Sequence, residues 1–122
     1  REPFRPFAPS VLIEECGNYF DDTYPSPFMS FVYNVLEEKR KIVPSITHVD
    51  NTARVQTVKK EDNPRYYDLI QKFKKITGIP MVLNTSFNVR GEPIVCTPED
   101  AIKCFVGTQM DYLALGDYLT WK

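Results

Sequence analysis

The chain has 122 residues, 15 basic and 16 acidic side chains, a formal net charge of -1 and a hydrophobic fraction of 43%, a length and balance that suit one domain able to bury a core without disulfide staples. Near-neutral charge with no long run of one sign excludes the electrostatic footprint of a general nucleic-acid binder; no stretch approaches the roughly 18 consecutive apolar residues of a membrane span, and no basic-then-apolar leader is visible, so a cytoplasmic location is expected. Cys16, Cys96 and Cys104 are odd in number and scattered, which specifies neither a disulfide framework nor a zinc site and leaves them as core or surface thiols.

The first residues, Arg1-Glu2-Pro3, lack an initiator methionine, and a processed product or a piece of something longer is the expectation. Pro3, Pro6 and Pro9 remove backbone donors and bias their neighbours toward extended geometry, so the opening reads as extended or looped. Ser10 to Ile13 reads as the end of a strand, Glu14 to Phe20 as two helical turns, and Asp21 to Pro27 as a loop. Phe28 to Leu36, rich in aromatic and β-branched residues, reads as a strand buried on both faces. Glu37 to Lys41 reads as a solvated turn.

Thr52 to Val58 alternates, with Ala53, Val55 and Thr57 on one face and Arg54, Gln56 and Val58 on the other, the period of a strand. A helix follows, with Asn63 as cap, Pro64 in the first position, a face of Tyr66, Ile70, Phe73 and Thr77, and Gly78 as the stop. Pro80 to Thr85 reads as an apolar strand. A second helix begins at Thr97 and Pro98 with Ala101, Ile102, Cys104 and Phe105 as its apolar stripe. Asp111 to Leu115 and Tyr118 to Trp121 read as closing strands around Gly116-Asp117. The expected fold is α/β, a mixed twisted sheet with flanking helices.

Chemistry is expected where the Met81–Thr85 strand breaks into Asn84-Thr85-Ser86-Phe87-Asn88-Val89-Arg90-Gly91, because open α/β sheets bind ligands beyond the carboxyl ends of their strands. An ordinary polar turn is the competing reading. Arg1, Arg5 and Arg54 form a second candidate group, since guanidiniums make bidentate contacts to phosphate; for Arg54, an exposed sheet face is the competing explanation. His48, beside Asp50, reads as a turn residue rather than a ligand or base.

Three stretches in order carry a resemblance: Arg1-Glu2-Pro3-Phe4-Arg5-Pro6-Phe7-Ala8-Pro9-Ser10, Thr47-His48-Val49-Asp50-Asn51-Thr52-Ala53-Arg54-Val55-Gln56-Thr57, and Leu83-Asn84-Thr85-Ser86-Phe87-Asn88 through Gly91-Glu92-Pro93-Ile94. They resemble the C-terminal region of the O-carbamoyltransferases of the nodulation and antibiotic-tailoring type, and the likeness runs over essentially residues 1–122, including Asp111-Tyr112-Leu113-Ala114-Leu115-Gly116. The resemblance implies a YrdC-like domain, part of a larger two-domain protein, that forms carbamoyl-adenylate from ATP and carbamoyl phosphate. A partner N-terminal actin-like domain, which holds an iron site, would pass the carbamoyl group to a hydroxyl. By motif position Arg54 and Ser86 would be catalytic, and Arg5, Thr85, Asn88 and Arg1 would bind substrate or nucleotide, with Mg2+ arriving on ATP. Members of the family carry a further lysine and a Gly/Arg-rich stretch upstream of the equivalent of Arg1, so N-terminal elements of the fold are expected to be missing and the isolated piece to adenylate poorly. A noncatalytic nucleotide- or RNA-binding module and a structural docking domain are the alternatives.

Overall fold

The computed structural model describes residues 4–122, so Arg1 lies outside the described residues. The backbone divides into two compact units, one running to Thr85 and the other Ser86–Lys122. The first is built on a four-stranded sheet of β1 (Ala8–Leu12), β2 (Phe31–Asn34), β3 (Thr52–Val58) and β4 (Met81–Asn84) in the order β2-β3-β1-β4. Strands β1 and β3 run parallel, while β4 lies antiparallel to β1 and β2 antiparallel to β3. The expected mixed α/β sheet with flanking helices is therefore what the sequence forms.

One face of this sheet, carrying Val11, Tyr33, Ala53, Val55 and Met81, packs on Cys16, Tyr19, Phe20, Val43 and Ile46. The short helix α1 (Cys16–Tyr19), entered through a 3-10 turn at Ile13–Glu15, supplies part of that layer. Burial pushes the Cys16 thiol up to about 11, which leaves it an inert packing group. The apolar residues gather in three clusters rather than the single core expected. The two-sided burial expected of Phe28 to Leu36 is also corrected. Within that segment Phe31–Asn34 forms the strand and Val35 adds a single bridge to Phe20, and β2 is the edge strand of its sheet, on which Tyr33 is buried while Phe31 and Val32 are exposed; aromatic content signals a strand but not its place in the sheet.

The opposite face is covered at one end by α2 (Pro64–Thr77). Asn63 caps it by accepting from the Tyr66 amide, Pro64 occupies the first turn, and Gly78 closes it at φ 79, a left-handed conformation that favours glycine. Ile70 is fully buried against Leu12 and Val58, with Tyr66, Tyr67 and Val82 around it. Lys74 reaches back to pair with Glu15, and that bond, ahead of the Asn18 amide, holds the Glu15 carboxyl below its ordinary value and Lys74 above its own. A depressed carboxyl contributes stability above its unfolded value, lost as pH falls through the folded one; the raised lysine keeps its share until pH rises past the ordinary lysine range. Glu15→Gln is expected to lower the melting temperature slightly near neutral pH and to leave it unchanged in acid, which a thermal melt at both conditions checks.

In the second unit α3 (Pro98–Val106) starts at Thr97, whose hydroxyl accepts from the Asp100 amide. Ala101 and Phe105 pack on Leu113 with Phe87, Val95, Met110 and Leu115 around them. Ile102, expected in the apolar stripe, is 51% exposed; two stripe positions, Ala101 and Phe105, meet the small sheet opposite. That sheet is the hairpin β5 (Tyr112–Leu115) and β6 (Tyr118–Trp121), turned at Gly116 with φ 61.

Candidate functional site

The register arranges the α2-bearing face of the sheet in three tiers. Strand β1 is central there, with Leu12 beside Val58, then Ser10 between Gln56 and Val82, then Ala8 beside Asn84. Continuing the β1–β3 register by two residues sets Arg54 beside Ala8 on the other side. Helix α2 seals the Leu12–Val58 tier. The Arg54–Ala8–Asn84 tier is the part of this face that carries an exposed arginine, a half-buried alanine and a half-buried asparagine.

This end is also where the chain enters β1 from exposed Arg5 and leaves β4 into exposed Thr85. The structure thus brings Arg5, Arg54 and Thr85 to one end of one sheet. It is the carboxyl end of β4 but the amino end of β1 and β3, because β4 runs antiparallel. The carboxyl-end expectation, which applies to parallel sheets, is met only by the strand that suggested it. Arg54 sits between buried Ala53 and Val55 with its own side chain outward, opposite Val32, so the exposed-face explanation describes its placement.

Gln56 was not expected at the site, and together with Asn84, the first residue of the candidate run, it organises the sheet end. The Gln56 Nε2 donates to the Pro27 carbonyl at 3.1 Å, and its Oε1 accepts from Ser10 Oγ at 2.5 Å and from Asn84 Nδ2 at 2.8 Å. The Pro27 carbonyl is itself placed by Ser26, whose amide donates to Thr57 Oγ1 at 2.8 Å and whose carbonyl accepts from the Thr57 amide at 2.9 Å. Ser10 is fully buried, so its hydroxyl needs this partner. The available signal was Gln56 on the same parity as Arg54. Gln56 and Pro27 also wall a cavity of about 530 Å3 with Lys59, Asn63 and Tyr66 at the start of α2, a size typical of small-molecule sites.

The other expected residues lie in the second unit. Ser86 is exposed. Asn88 spends its Nδ2 on the carbonyls of Val89 at 3.2 Å and Glu92 at 2.9 Å, holding the turn that ends at Gly91. It also lines a cavity of about 450 Å3 with Cys96, Asp100 and Lys103. His48 and Asp50 form the turn into β3: the His48 amide donates to the Thr52 carbonyl at 2.7 Å, and Asp50 Oδ1 accepts from the Thr52 hydroxyl and amide, which hold that carboxyl below its ordinary value. Among the described residues no group of three or more His, Cys, Asp or Glu side chains could hold a metal ion. Nor, among them, is any helix long and apolar enough to cross a membrane.

Residues 1–122 match the family described as Carbamoyltransferase C-terminus. The chain is 50% identical over its full length to nodulation protein NolO of Bradyrhizobium diazoefficiens, covering 23% of that protein. It is 32% identical over 99% of its length to a 3'-hydroxymethylcephem-O-carbamoyltransferase of Amycolatopsis lactamdurans, covering 22% of it, and 51% identical over its full length to an uncharacterized protein of Synechocystis, sll1178, covering 23%. The chain belongs to the carbamoyltransferase C-terminal family. It spans about a quarter of the length of these curated relatives.

Proposed function

We propose that this chain is the part of an O-carbamoyltransferase that forms carbamoyl-adenylate, which an N-terminal actin-like domain then uses to carbamoylate a hydroxyl. The observation that carries the reading is the position of Arg54 on β3 and of Thr85 just after β4 at one end of the sheet, where Arg5 precedes β1, in a chain whose relatives include a named O-carbamoyltransferase. Carbamoyl phosphate loses its phosphoryl group to water as inorganic phosphate, leaving carbamate. A carbamate oxygen then bonds to the α-phosphorus of ATP as the bond to pyrophosphate breaks.

Both steps build negative charge on phosphoryl oxygens and need no protein nucleophile, so fixed guanidiniums and hydroxyls are the groups the chemistry calls for. Arg54 projects from a paired strand and is held in direction by the sheet; Arg5 and Thr85 are carried on the segments entering and leaving it, and Ser86 and Asn88 follow in the same motif. Mg2+ would come with ATP, held by phosphate oxygens and water rather than by a protein cage. Iron, in this reading, belongs to the partner domain.

The test is carbamoyl-phosphate-dependent exchange of labelled pyrophosphate into ATP by the protein that carries this chain. Exchange that Ser86→Ala lowers by about 10²-fold or more is expected for a transition-state donor. Exchange unaffected by Ser86→Ala removes that residue from the chemistry, and no exchange in the wild type overturns the reading. Tight RNA binding with a steep salt slope would favour a binding module instead. The isolated 122-residue chain, about a quarter of the length of its relatives, is expected to exchange weakly.

A further inference from the structure

Resting on the reading above, we propose that Asn84 Oδ1 is the acceptor that recognises the N–H of a carbamoyl group and so distinguishes carbamoyl phosphate from acyl phosphates that lack one. The carbonyl of Pro27 can only accept a hydrogen bond. Facing it must be the nitrogen of Gln56, which turns Gln56 Oε1 toward Ser10 and Asn84. An oxygen there demands a donor, so Asn84 presents Nδ2 to Gln56, and its Oδ1 is aimed away from the network. The polarity of one backbone carbonyl is thereby relayed through two carboxamides to an asparagine oxygen that accepts no hydrogen bond from the described residues.

What lies beside that oxygen suits the ligand. Asn84 pairs with Ala8, whose small side chain leaves the sheet surface low, and on the other side of β1 Arg54 precedes by two residues Gln56, the partner of Ser10. Two interstrand steps, about 10 Å, separate β3, which carries Arg54, from β4, which carries Asn84. A long guanidinium reaching inward from one side and a short amide oxygen from the other bracket a small acyl phosphate, with phosphate toward Arg54 and acyl group toward Asn84. A carbamoyl N–H would donate to Oδ1. An acetyl methyl would instead cover that oxygen and leave it without a partner, which is the source of discrimination.

The experiment measures, in the protein that carries this chain, KM for carbamoyl phosphate in the exchange assay and Ki for acetyl phosphate as competitor, for wild type, Asn84→Leu and Gln56→Met. Asn84→Leu, of similar volume, is expected to raise KM by about tenfold, the worth of one well-made hydrogen bond, and to lower Ki for acetyl phosphate, whose methyl no longer strands an acceptor. Gln56→Met, which frees Asn84 to turn over, is expected to shift the ratio of Ki to KM in the same direction by less. A ratio unchanged in the Asn84 variant, or both constants rising together, overturns the proposal, the second outcome marking Asn84 as a group that shapes the sheet end. Should Asn84→Leu fail to give a folded protein, the ratio in Gln56→Met decides alone: no shift overturns it. A wild type that does not use carbamoyl phosphate overturns the functional reading and this proposal with it, whereas normal use with an unmoved ratio overturns this proposal only.

Discussion

Arg54→Ala is expected to lower kcat/KM for carbamoyl phosphate by about 10²–10³, the loss seen when one fixed donor to a developing charge is removed. Its melting temperature should hardly move. The side chain lies outward from a strand whose stability comes from Ala53, Val55 and Thr57 on the buried face and from pairing on both edges, and exposed substitutions of this kind stay within about 0.5 kcal/mol. Arg54→Lys separates charge from geometry: it restores the cation but not the planar fork that grips two phosphate oxygens, and partial recovery is the expected result. Steady-state kinetics paired with a thermal melt checks both variants. Full activity in Arg54→Ala would remove the sheet end as the phosphate site.

Ile70→Ala should destabilise the first unit by about 2–5 kcal/mol, the range for emptying a buried aliphatic site. Ile70 is the one buried residue of α2 and fully enclosed, and it locks the helix onto Leu12 and Val58. Those two residues belong to the strands that carry Ser10, Ala8, Arg54 and Gln56. The helix covers the far tier of the same face, so its loosening should expose apolar surface there before it disturbs Arg54. Denaturant unfolding of the variant measures the loss, and a change below about 1 kcal/mol would show that the helix is held by its ends and by Lys74 rather than by this contact.

Elements whose signals are local were legible in the sequence. The alternation of Thr52–Val58, the Asn63-Pro64 start and Gly78 stop of the first long helix, and the Thr97-Pro98 start of the second all formed as read, because caps and periods are properties of a few adjacent residues. Whether Phe31 and Val32 would be covered was not legible, since that depends on which strands lie beyond them. The arginines at the site stood out because an arginine amid apolar strand residues is conspicuous. Gln56 did not, and Asn84 was visible only as one member of a polar run, for each is unremarkable alone. Their significance appears when segments 28 and 46 residues apart are brought side by side, which is a matter of register and topology. The carboxyl-end expectation depended in the same way on a strand direction that no single segment encodes.

Ala8 sits on the strand between those that carry Arg54 and Asn84. The spacing between the strands that carry positions 54 and 84 is fixed by main-chain pairing on either side of β1, and a β-sheet has only one interval between strands. A site walled by loops can lengthen or shorten by drift in loop sequence. Here the span is quantised, and substitutions elsewhere in the first unit can weaken the sheet without retuning it. Evolution of a different ligand length would have to act through the reach of the two flanking side chains or by inserting another strand, while the gauge itself is inherited unchanged with the backbone.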